Sequence, residues 1–471
     1  GVIMFPLALA IVLSAGYYLG TRQAGPTQHL TRKADFVKLN RVLDEIELKY
    51  VDTVEQHQLV ESSIEGILRN LDPHSSYIPA KDLSGMDEPL EGSFGGIGIR
   101  FMILRDSLVV TNVISGGPSQ KIGMKAGDRI ISIDNEDVAG VGIKNQDVFD
   151  QLKGLMGTMV KVGVYRHSDG QKHKFDIVRG EIPIRSIESS QMVTEDIGYI
   201  KLARFAKTTP QEFYMSSLKL KDEGMKKLIL DLRDNGGGYL TPAVELADHF
   251  LETGKMIVYT EGRYQGRVDY FSTEGGLLQN VEVAILINAT TASASEIVSG
   301  AIQDNDHGIV LGRRSFGKGL VQEPIQLSDG SAIRLTVARY YTPSGRCIQK
   351  PYGNGVDYHA DYSSRYENGE FYSIDSAKLE ELEKFKTVGG RTVYGGGGIF
   401  PDIFIPLDTA GASRYLRALS YTPAFSEFAF EYVDRNRKMF DQYDGPSDFD
   451  SKFVITDAMY KEFTMFAAEN H

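Results

Sequence analysis

The chain has 471 residues, 42% of them hydrophobic and 24% charged, a balance that excludes a disordered, collagenous or polytopic membrane protein and leaves room for about three globular domains. With 51 Lys and Arg against 63 Asp and Glu, the formal net charge is −12, which argues against a nucleic-acid partner because phosphate binding needs a basic surface. The lone cysteine, Cys347, excludes an intrachain disulfide framework and a Cys-cluster metal site.

Residues 1–21 (GVIMFPLALAIVLSAGYYLGT) carry no charge and end at Arg22. About 20 apolar residues span a bilayer as a helix. Residues 1–22 are therefore expected to be a membrane anchor, with a signal peptide cut near Ser14-Ala15-Gly16 as the alternative. Either reading exports the rest of the chain, although Arg22, Arg32 and Lys33 argue mildly for the opposite orientation. A polar linker is expected at 23–33, then a helical region over 34–88. Phe36, Leu39, Val42, Leu43 and Ile46 recur at helical spacing, as do Leu59, Ile64, Ile67 and Leu68. Two such helices cannot bury an apolar stripe alone, so they must pack on the body or on another copy of the chain. Asp72-Pro73-His74 stops the second helix.

A small β-rich domain is expected at 89–182. It opens with Gly92-Ser93-Phe94-Gly95-Gly96-Ile97-Gly98-Ile99 and continues through Gly117-Pro118, Gly123 and Gly127-Asp128. A glycine-rich turn at a strand edge exposes consecutive backbone N–H groups. Such a nest suits a terminal carboxylate, and the edge can accept the peptide as an added strand. The spacing resembles that of PDZ domains, which implies binding of peptide carboxyl termini near Gly96, Ile97, Gly98 and Ile99.

Over 183–406, strand candidates at 198–205, 227–232, 283–288 and 308–312 alternate with helical stretches, which predicts an α/β layer. Asp329-Gly330 reads as a hairpin turn, and the Tyr- and Gly-rich stretch 350–398 as a long surface insertion. Residues 407–471 return to helical patterning, with Phe425, Phe428, Phe430 and Tyr432 too dense to face solvent.

Most familiar catalytic signatures are absent. There is no His-Glu-x-x-His and no Gly-x-Ser-x-Gly. Gly312 to Lys318 matches the start of a phosphate loop, but Gly319 stands where Ser or Thr would hold Mg²⁺, and a strand-like run follows. The candidate nucleophile is Ser293, in Thr290-Thr291-Ala292-Ser293-Ala294-Ser295-Glu296 between an apolar strand and a helix. Ser293 with Glu296 is equally a helix capping box. Asp231 to Gly238 follows another strand, and its glycines Gly236, Gly237 and Gly238 let backbone N–H groups approach a ligand, as an oxyanion hole requires. Lys318 lies between two glycines in an apolar stretch; a plain surface lysine is the alternative.

From about residue 35 to 405 the sequence resembles the carboxyl-terminal processing peptidases, or tail-specific proteases. The stretches that carry this are Tyr50-Val51-Asp52, Leu71-Asp72-Pro73-His74-Ser75, the PDZ-like segment, Asp231 to Gly238, Thr291 to Ile297, Ser315-Phe316-Gly317-Lys318-Gly319, Tyr341-Thr342-Pro343-Ser344-Gly345-Arg346 and Gly398-Ile399-Phe400-Pro401-Asp402. The resemblance implies a crotonase-like α/β protease core with an inserted PDZ domain and helical segments at both ends. It implies Ser293 as nucleophile, Lys318 as general base and Gln322 as the residue orienting that lysine. The glycines 236–238 and the Ala294 amide would form the oxyanion hole. No cofactor or metal is expected.

A serine hydroxyl needs an adjacent base, and a lysine serves only when burial lowers its pKa from about 10.4 by up to roughly 3–5 units. Phe316, Leu320 and Val321 are expected to supply that burial, and a strand over 318–322 would put Lys318 and Gln322 on one face. Two rival readings are a catalytically silent PDZ scaffold and a Ser–His hydrolase using His307. The expected partners are substrate C-termini, a membrane through residues 1–21, a second copy through the helical segments, and an adaptor protein. The expected location is the periplasmic side of a bacterial inner membrane. The PDZ segment, inserted ahead of the core, is a candidate lid.

Overall fold

The computed structural model describes residues 26–353, 355–411 and 413–470. The anchor or signal expected at 1–22 lies outside them. Among the described residues no helix is long and apolar enough to cross a membrane.

The chain divides into two compact units, one running to Ala80 with Gln322–Thr336, the other Lys81–Val321 with Val337–His471. In the first, α1 (Pro26–Lys49) begins inside the stretch expected to be linker, and α2 (Gln56–Arg69) follows. Phe36, Val42 and Leu48 of α1 stay exposed in the single chain. The turn after α2 is tied by Asp72, whose Oδ1 accepts the His74 amide at 2.8 Å and the Ser75 amide at 2.9 Å. The short β1 (Ser76–Ile78) then pairs antiparallel with Ala332–Arg334, Ser76 opposite Arg334. The Asp329-Gly330 turn is present, its Gly330 amide donating to Leu327 O at 3.2 Å.

The second unit opens with α3 (Ala80–Glu91). Strand β2 (Ser93–Gly96) pairs with β9 (Gly180–Pro183), closing the neck of the expected β-rich domain. Its sheet runs β3 (Ile99–Leu104), β4 (Ser107–Val113), β5 (Asp128–Ile133), β7 (Met159–Arg166), β8 (Gln171–Val178), with β6 (Glu136–Asp137) paired to β5. Alternating β-branched residues Val160, Val162, Val164 and Ile177 bury one face against Val148 of a helix, α5 (Asn145–Leu152), after α4 (Pro118–Lys121). A strand with one buried face shows this period of two.

The α/β layer has the sheet order β10 (Ile187–Met192), β11 (Ile197–Leu202), β12 (Lys227–Asp231), β15 (Glu282–Ile287), β16 (Gly308–Gly312), β21 (Ile403–Phe404). Only β10 runs antiparallel to its neighbour. Helices α6 (Thr209–Asp222), α7 (Leu240–Asp248) and α8 (Ala294–Asp304) cover it. Buried Ile200, Leu230 and Ile285 from the strands and Phe213, Leu246 and Val298 from the helices form one core. In a parallel sheet the C-terminal strand ends share one edge, where ligand-binding loops gather. The loops after β12, β15 and β16 all leave from that edge.

A second sheet carries β13 (Met256–Gly262), β14 (Gly266–Phe271) and the end of β18 (Ala332–Tyr341), which follows β17 (Leu320–Gln326). The stretch 350–398, expected to be a long surface insertion, is mostly exposed or half buried but is built of regular elements. It folds into α9 (Asp361–Glu367), α10 (Ser376–Glu381) and the hairpin β19 (Lys384–Lys386) and β20 (Thr392–Tyr394), and it buries Arg365, Phe371 and Val393. Among the described residues five helices follow: α11 (Arg414–Ser420), α12 (Ala424–Arg435), α13 (Arg437–Phe440), α14 (Pro446–Lys452) and α15 (Asp457–Asn470). Of the aromatic residues expected to avoid solvent, Phe428 is buried, lying 5.3 Å from Phe463 and 5.6 Å from Phe466 between ring centres, Phe430 and Tyr432 are half buried, and Phe425 is exposed.

Candidate active site

Ser293 stands at the strand-to-helix junction expected for it, half buried, immediately before α8, with φ 58° and ψ −118°. That backbone region strains any residue with a β-carbon. Neighbouring bonds hold it in place: Thr291 Oγ donates to Leu232 O at 2.8 Å, the Ala292 amide to Asn235 O at 3.0 Å, and Ser295 Oγ to that same carbonyl at 3.1 Å. The loop after β12 thus fixes the turn after β15. Asp234 adds a second tie, its Oδ1 accepting Asn288 Nδ2 and Thr290 Oγ, each at 2.8 Å.

The glycines following β12 behave differently from one another. A β-carbon on Gly237 would lie 2.7 Å from Ser293 Cβ and 2.9 Å from Ala294 N, and its φ is +98°, so only glycine fits against the serine. Its amide donates to Asn235 Oδ1 at 2.9 Å. A β-carbon on Gly238 would lie 2.1 Å from Phe205 O, whereas Gly236 faces open space. Ala294 is the first residue of α8, adjoining Gly237.

Lys318 is half buried in the extended loop between β16 and β17. The expectation that Lys318 and Gln322 share one strand face fails, because β17 starts only at Leu320. Gln322 belongs to the first unit, where its Nε2 donates to His74 O at 2.6 Å.

The residue that joins Ser293 to the lysine loop is Glu296. Its side chain is fully buried, and each carboxylate oxygen accepts two bonds. Oε2 takes the Ser293 amide at 2.7 Å and the Lys318 amide at 2.9 Å. Oε1 takes the Gly317 amide at 2.8 Å and Ser315 Oγ at 2.5 Å. Burial pushes this carboxyl up to about 7 even though all four donors favour the anion. The capping box read from the sequence is therefore half of the finding: its glutamate caps two loops. The segment 350–398 braces the same loop. Arg365 donates to Ser315 O at 3.1 Å and Arg314 O at 2.6 Å, and the Lys350 amide donates to Gly317 O at 2.9 Å. Nothing in the local sequence pattern marked Arg365 or Lys350, since the contacts span tens of residues.

His307 precedes the N-terminal end of β16, whereas Ser293 follows the C-terminal end of the parallel strand β15. The two lie at opposite edges of the sheet, so the Ser–His reading is discarded. A strand, not a helix, follows Lys318, as the phosphate-loop reading could not accommodate.

With this geometry in place, the comparisons with known proteins are specific. A profile of peptidase family S41 matches residues 196–361, one of the PDZ domain residues 95–178, and one of the activating protease CtpB N-terminal domain residues 19–82. Residues 415–471 match a family of unknown function. The carboxy-terminal-processing protease of Bartonella bacilliformis is 34% identical over 350 residues, 72% of this chain and 80% of that protein. The chain belongs to the carboxy-terminal processing proteases. It is thus a serine peptidase of family S41 carrying a PDZ domain. The carboxy-terminal processing protease CtpB of Bacillus subtilis is 31% identical over 66% of this chain and 65% of its own length. Among solved structures, the photosystem II D1 C-terminal processing protease aligns with 29% identity over 65% of this chain and 83% of that one, at a TM-score of 0.39.

In this carboxy-terminal processing protease the PDZ residues singled out from the sequence adjoin one another. Gly96 ends β2, Ile97 is buried, Gly98 has φ +78°, and Ile99 starts β3. Strand β3 is the edge of its sheet and, among the described residues, pairs with β4 alone. Helix α5 flanks that edge, Phe149 lying 5.3 Å from Phe101 between ring centres. An edge strand beside a helix, with a glycine turn at its start, can take an extended peptide as an added strand.

Proposed function

We propose that the protein is a serine endopeptidase that recruits protein substrates by their C-terminal segments through its PDZ domain and cleaves them with a Ser293–Lys318 pair. The observation that carries this reading is the single buried carboxylate that ties the Ser293 amide to the Lys318 amide. The serine stands in a strained junction, the glycine turn lies against it, and the only lysine in that loop sits across the tie.

In this reading neutral Lys318 takes the proton of Ser293 Oγ as that oxygen bonds the substrate carbonyl carbon. The negative charge developing on the carbonyl oxygen is met by the Ala294 amide and the glycine turn 236–238. The C–N bond then breaks, the lysine ammonium returns its proton to the leaving amine, and an acyl-enzyme ester remains. Lys318 next removes a proton from water, the ester is hydrolysed, and Ser293 is regenerated. Gln322 is the proposed orienting group for Lys318 once substrate is engaged. The crotonase-like character of the core rests on the family resemblance.

We place the protein at the periplasmic side of a bacterial inner membrane, held by residues 1–21, on the strength of that uncharged run. The apolar residues exposed on α1 support self-association. An adaptor protein is a further proposed partner.

The test is cleavage of an unstructured protein by wild type, Ser293→Ala and Lys318→Ala, with mass spectrometry of the trapped acyl-enzyme. Both variants are expected to be inactive, and wild type to show an adduct on Ser293. Retained activity in Lys318→Ala would remove the lysine from the mechanism, and a wild type inert on every substrate would favour the silent scaffold.

A further inference from the structure

The loop that carries Lys318 has little regular structure of its own. Strand β17 starts only at Leu320, and Lys318 sits between Gly317 and Gly319, where missing β-carbons leave the backbone easy to deform. Phe316 is the bulky side chain of this stretch. Its amide donates to Thr291 O at 2.8 Å, two residues before Ser293, so it joins the lysine loop to the turn of the nucleophile. Its ring is gripped from the 350–398 segment. Lys350 Nζ lies 3.9 Å from the centre of the Phe316 ring and 4.1 Å from that of Tyr358. The two rings meet edge-on, their centres 6.0 Å apart. Lys350 is 4% exposed, and its ammonium donates to Asp361 Oδ2 at 3.1 Å and to Tyr358 O at 3.3 Å. Its backbone amide holds Gly317 O at 2.9 Å, and a β-carbon on Gly317 would lie 3.1 Å from Lys350 Cβ.

We propose that Lys350 is a positioning residue for the catalytic base, its buried ammonium holding the Phe316 ring and, through it, the backbone that presents Lys318 to Ser293. This rests on the Ser293–Lys318 reading above. A lysine is almost never fully buried unless its charge is met. Here the charge is met by two aromatic rings, whose quadrupole attracts a cation, and by the Asp361 carboxylate. Attraction between a cation and a ring grows when both leave water, so the wedge is strong because it is buried. Burial pulls the Lys350 ammonium toward a lower pKa, and the Asp361 carboxylate opposes that pull. Glu296 and Lys350 divide the work on the loop. Glu296 takes the Gly317 and Lys318 amides, whereas Lys350 takes the Gly317 carbonyl and the Phe316 ring. A glycine whose N–H and C=O are both held loses the freedom that would let the next residue swing away. Lys350 touches neither the nucleophile's hydroxyl nor the substrate in this account, and acts through Phe316 and Gly317.

The experiment is a double-mutant cycle of Lys350→Met and Phe316→Leu. Lys350→Met keeps an unbranched chain and the backbone amide bond but removes the charge, and Asp361 retains Arg365 at 3.9 Å as a partner. Phe316→Leu removes the ring. Three readouts are taken: kcat and KM on an unstructured protein, the rate of Ser293 labelling by a fluorophosphonate, and the melting temperature. Val393→Ala, a buried position in the hairpin of the same segment, serves as the control for lost stability. Lys350→Met is expected to lower kcat by at least about tenfold with KM within about twofold, and labelling should fall in step with kcat. The double variant should be no worse than the poorer single one, because both substitutions remove the same contact. Val393→Ala should melt earlier yet label at the wild-type rate. Normal kcat and labelling in Lys350→Met would overturn the proposal, as would losses that multiply in the double variant. So would an equal loss of labelling in Val393→Ala at equal loss of melting temperature, since that is a structural effect. If Lys318→Ala still cleaves, the catalytic reading falls and this role with it. If Lys318→Ala is dead and Lys350→Met is normal, only the role of Lys350 falls.

Discussion

The Glu296 carboxylate accepts the Ser293 amide at 2.7 Å while its two oxygens hold three other donors, Lys318 N, Gly317 N and Ser315 Oγ. A glutamine at 296 has one acceptor oxygen, and its NH₂ would face two donors. Glu296→Gln must therefore leave a pair of buried donors unmatched, which costs about 1–3 kcal/mol for each. Cleavage is expected to fall at least about a hundredfold, with an earlier melt. Kinetics and calorimetry on the purified variant check this, and near-normal turnover would show that the tie is dispensable.

That same carboxyl gives the fold a pH signature. Its ordinary value is 4.5 and burial raises it to about 7. The folded state therefore binds this proton more tightly than the unfolded one. The associated stability is complete below pH 4.5 and is lost as pH rises through about 7. The loss is on the order of 3 kcal/mol. Denaturant titrations at pH 5 and pH 8 should show wild type losing more stability than Glu296→Gln over that interval. Equal losses in both proteins would mean that Glu296 is not the group that titrates.

The glycine turn makes a sharper steric case. A methyl at Gly237 would meet Ser293 Cβ at 2.7 Å and Ala292 O at 2.8 Å, on a backbone with φ +98°. Gly237→Ala is expected to abolish fluorophosphonate labelling of Ser293 and to destabilise the fold by about 1–3 kcal/mol from strain and overpacking. Gly236→Ala, which meets open space, should label nearly as wild type. Equal labelling of the two variants would contradict the close approach of this turn to the serine.

The contrast between these glycines explains what the chain sequence conveyed and what it withheld. The Asp231 to Gly238 run announced a tight loop after a strand, and the alternation of apolar runs announced the α/β layer, because both signals are local. The strands at 227–231, 282–287 and 308–312 fall within a residue or so of their expected positions for that reason. Which glycine abuts Ser293 depends on how two loops from different strands meet, and no local pattern encodes that. Glu296 was visible as a cap because a cap spans three residues, but its bonds to Ser315, Gly317 and Lys318 span 19–22. The segment 350–398 read as surface because tyrosines and glycines are common in loops. Its tie to the lysine loop comes from Arg365 reaching back 50 and 51 residues. The apolar residues after Lys318 left a strand over 318–322 open, yet pairing starts at Leu320.

At the PDZ edge, Gly98 has φ +78°, and a β-carbon there would lie 3.1 Å from Ile182 Cδ1. Gly98→Val forces a β-branched residue into that backbone and distorts the turn at the start of β3. The variant is expected to bind a peptide with a free, apolar carboxyl terminus at least about tenfold more weakly. Amidating the peptide should weaken binding to wild type comparably if the turn at Gly96–Ile99 is the proposed carboxylate nest, which would then face no charge. Fluorescence anisotropy measures both, and indifference to amidation would argue against carboxylate recognition at this turn.

The back of the same PDZ sheet is held by the C-terminal helices. Arg129 Nη2 meets Asp434 Oδ2 at 2.9 Å, and Arg105 Nη1 meets Glu431 Oε1 at 3.0 Å. A cavity of about 290 Å³ remains between Met102, Val110 and Ala126 on one side and Ala429, Phe430 and Val433 on the other. An interface with unfilled space and half-exposed ion pairs is held weakly, each such pair contributing about 0–1 kcal/mol and losing it to salt. Charge reversal by Asp434→Arg sets a positive charge against both Arg129 and Arg437 and should speed amide exchange in β4 and β5 at low salt. Adding Arg129→Glu restores opposite charges and should return exchange close to wild type, and 1 M salt should erase the difference between all three proteins. Hydrogen exchange with mass spectrometry reads each state. A double variant that exchanges as fast as the single one would show that the pair does not hold the helices on the PDZ sheet.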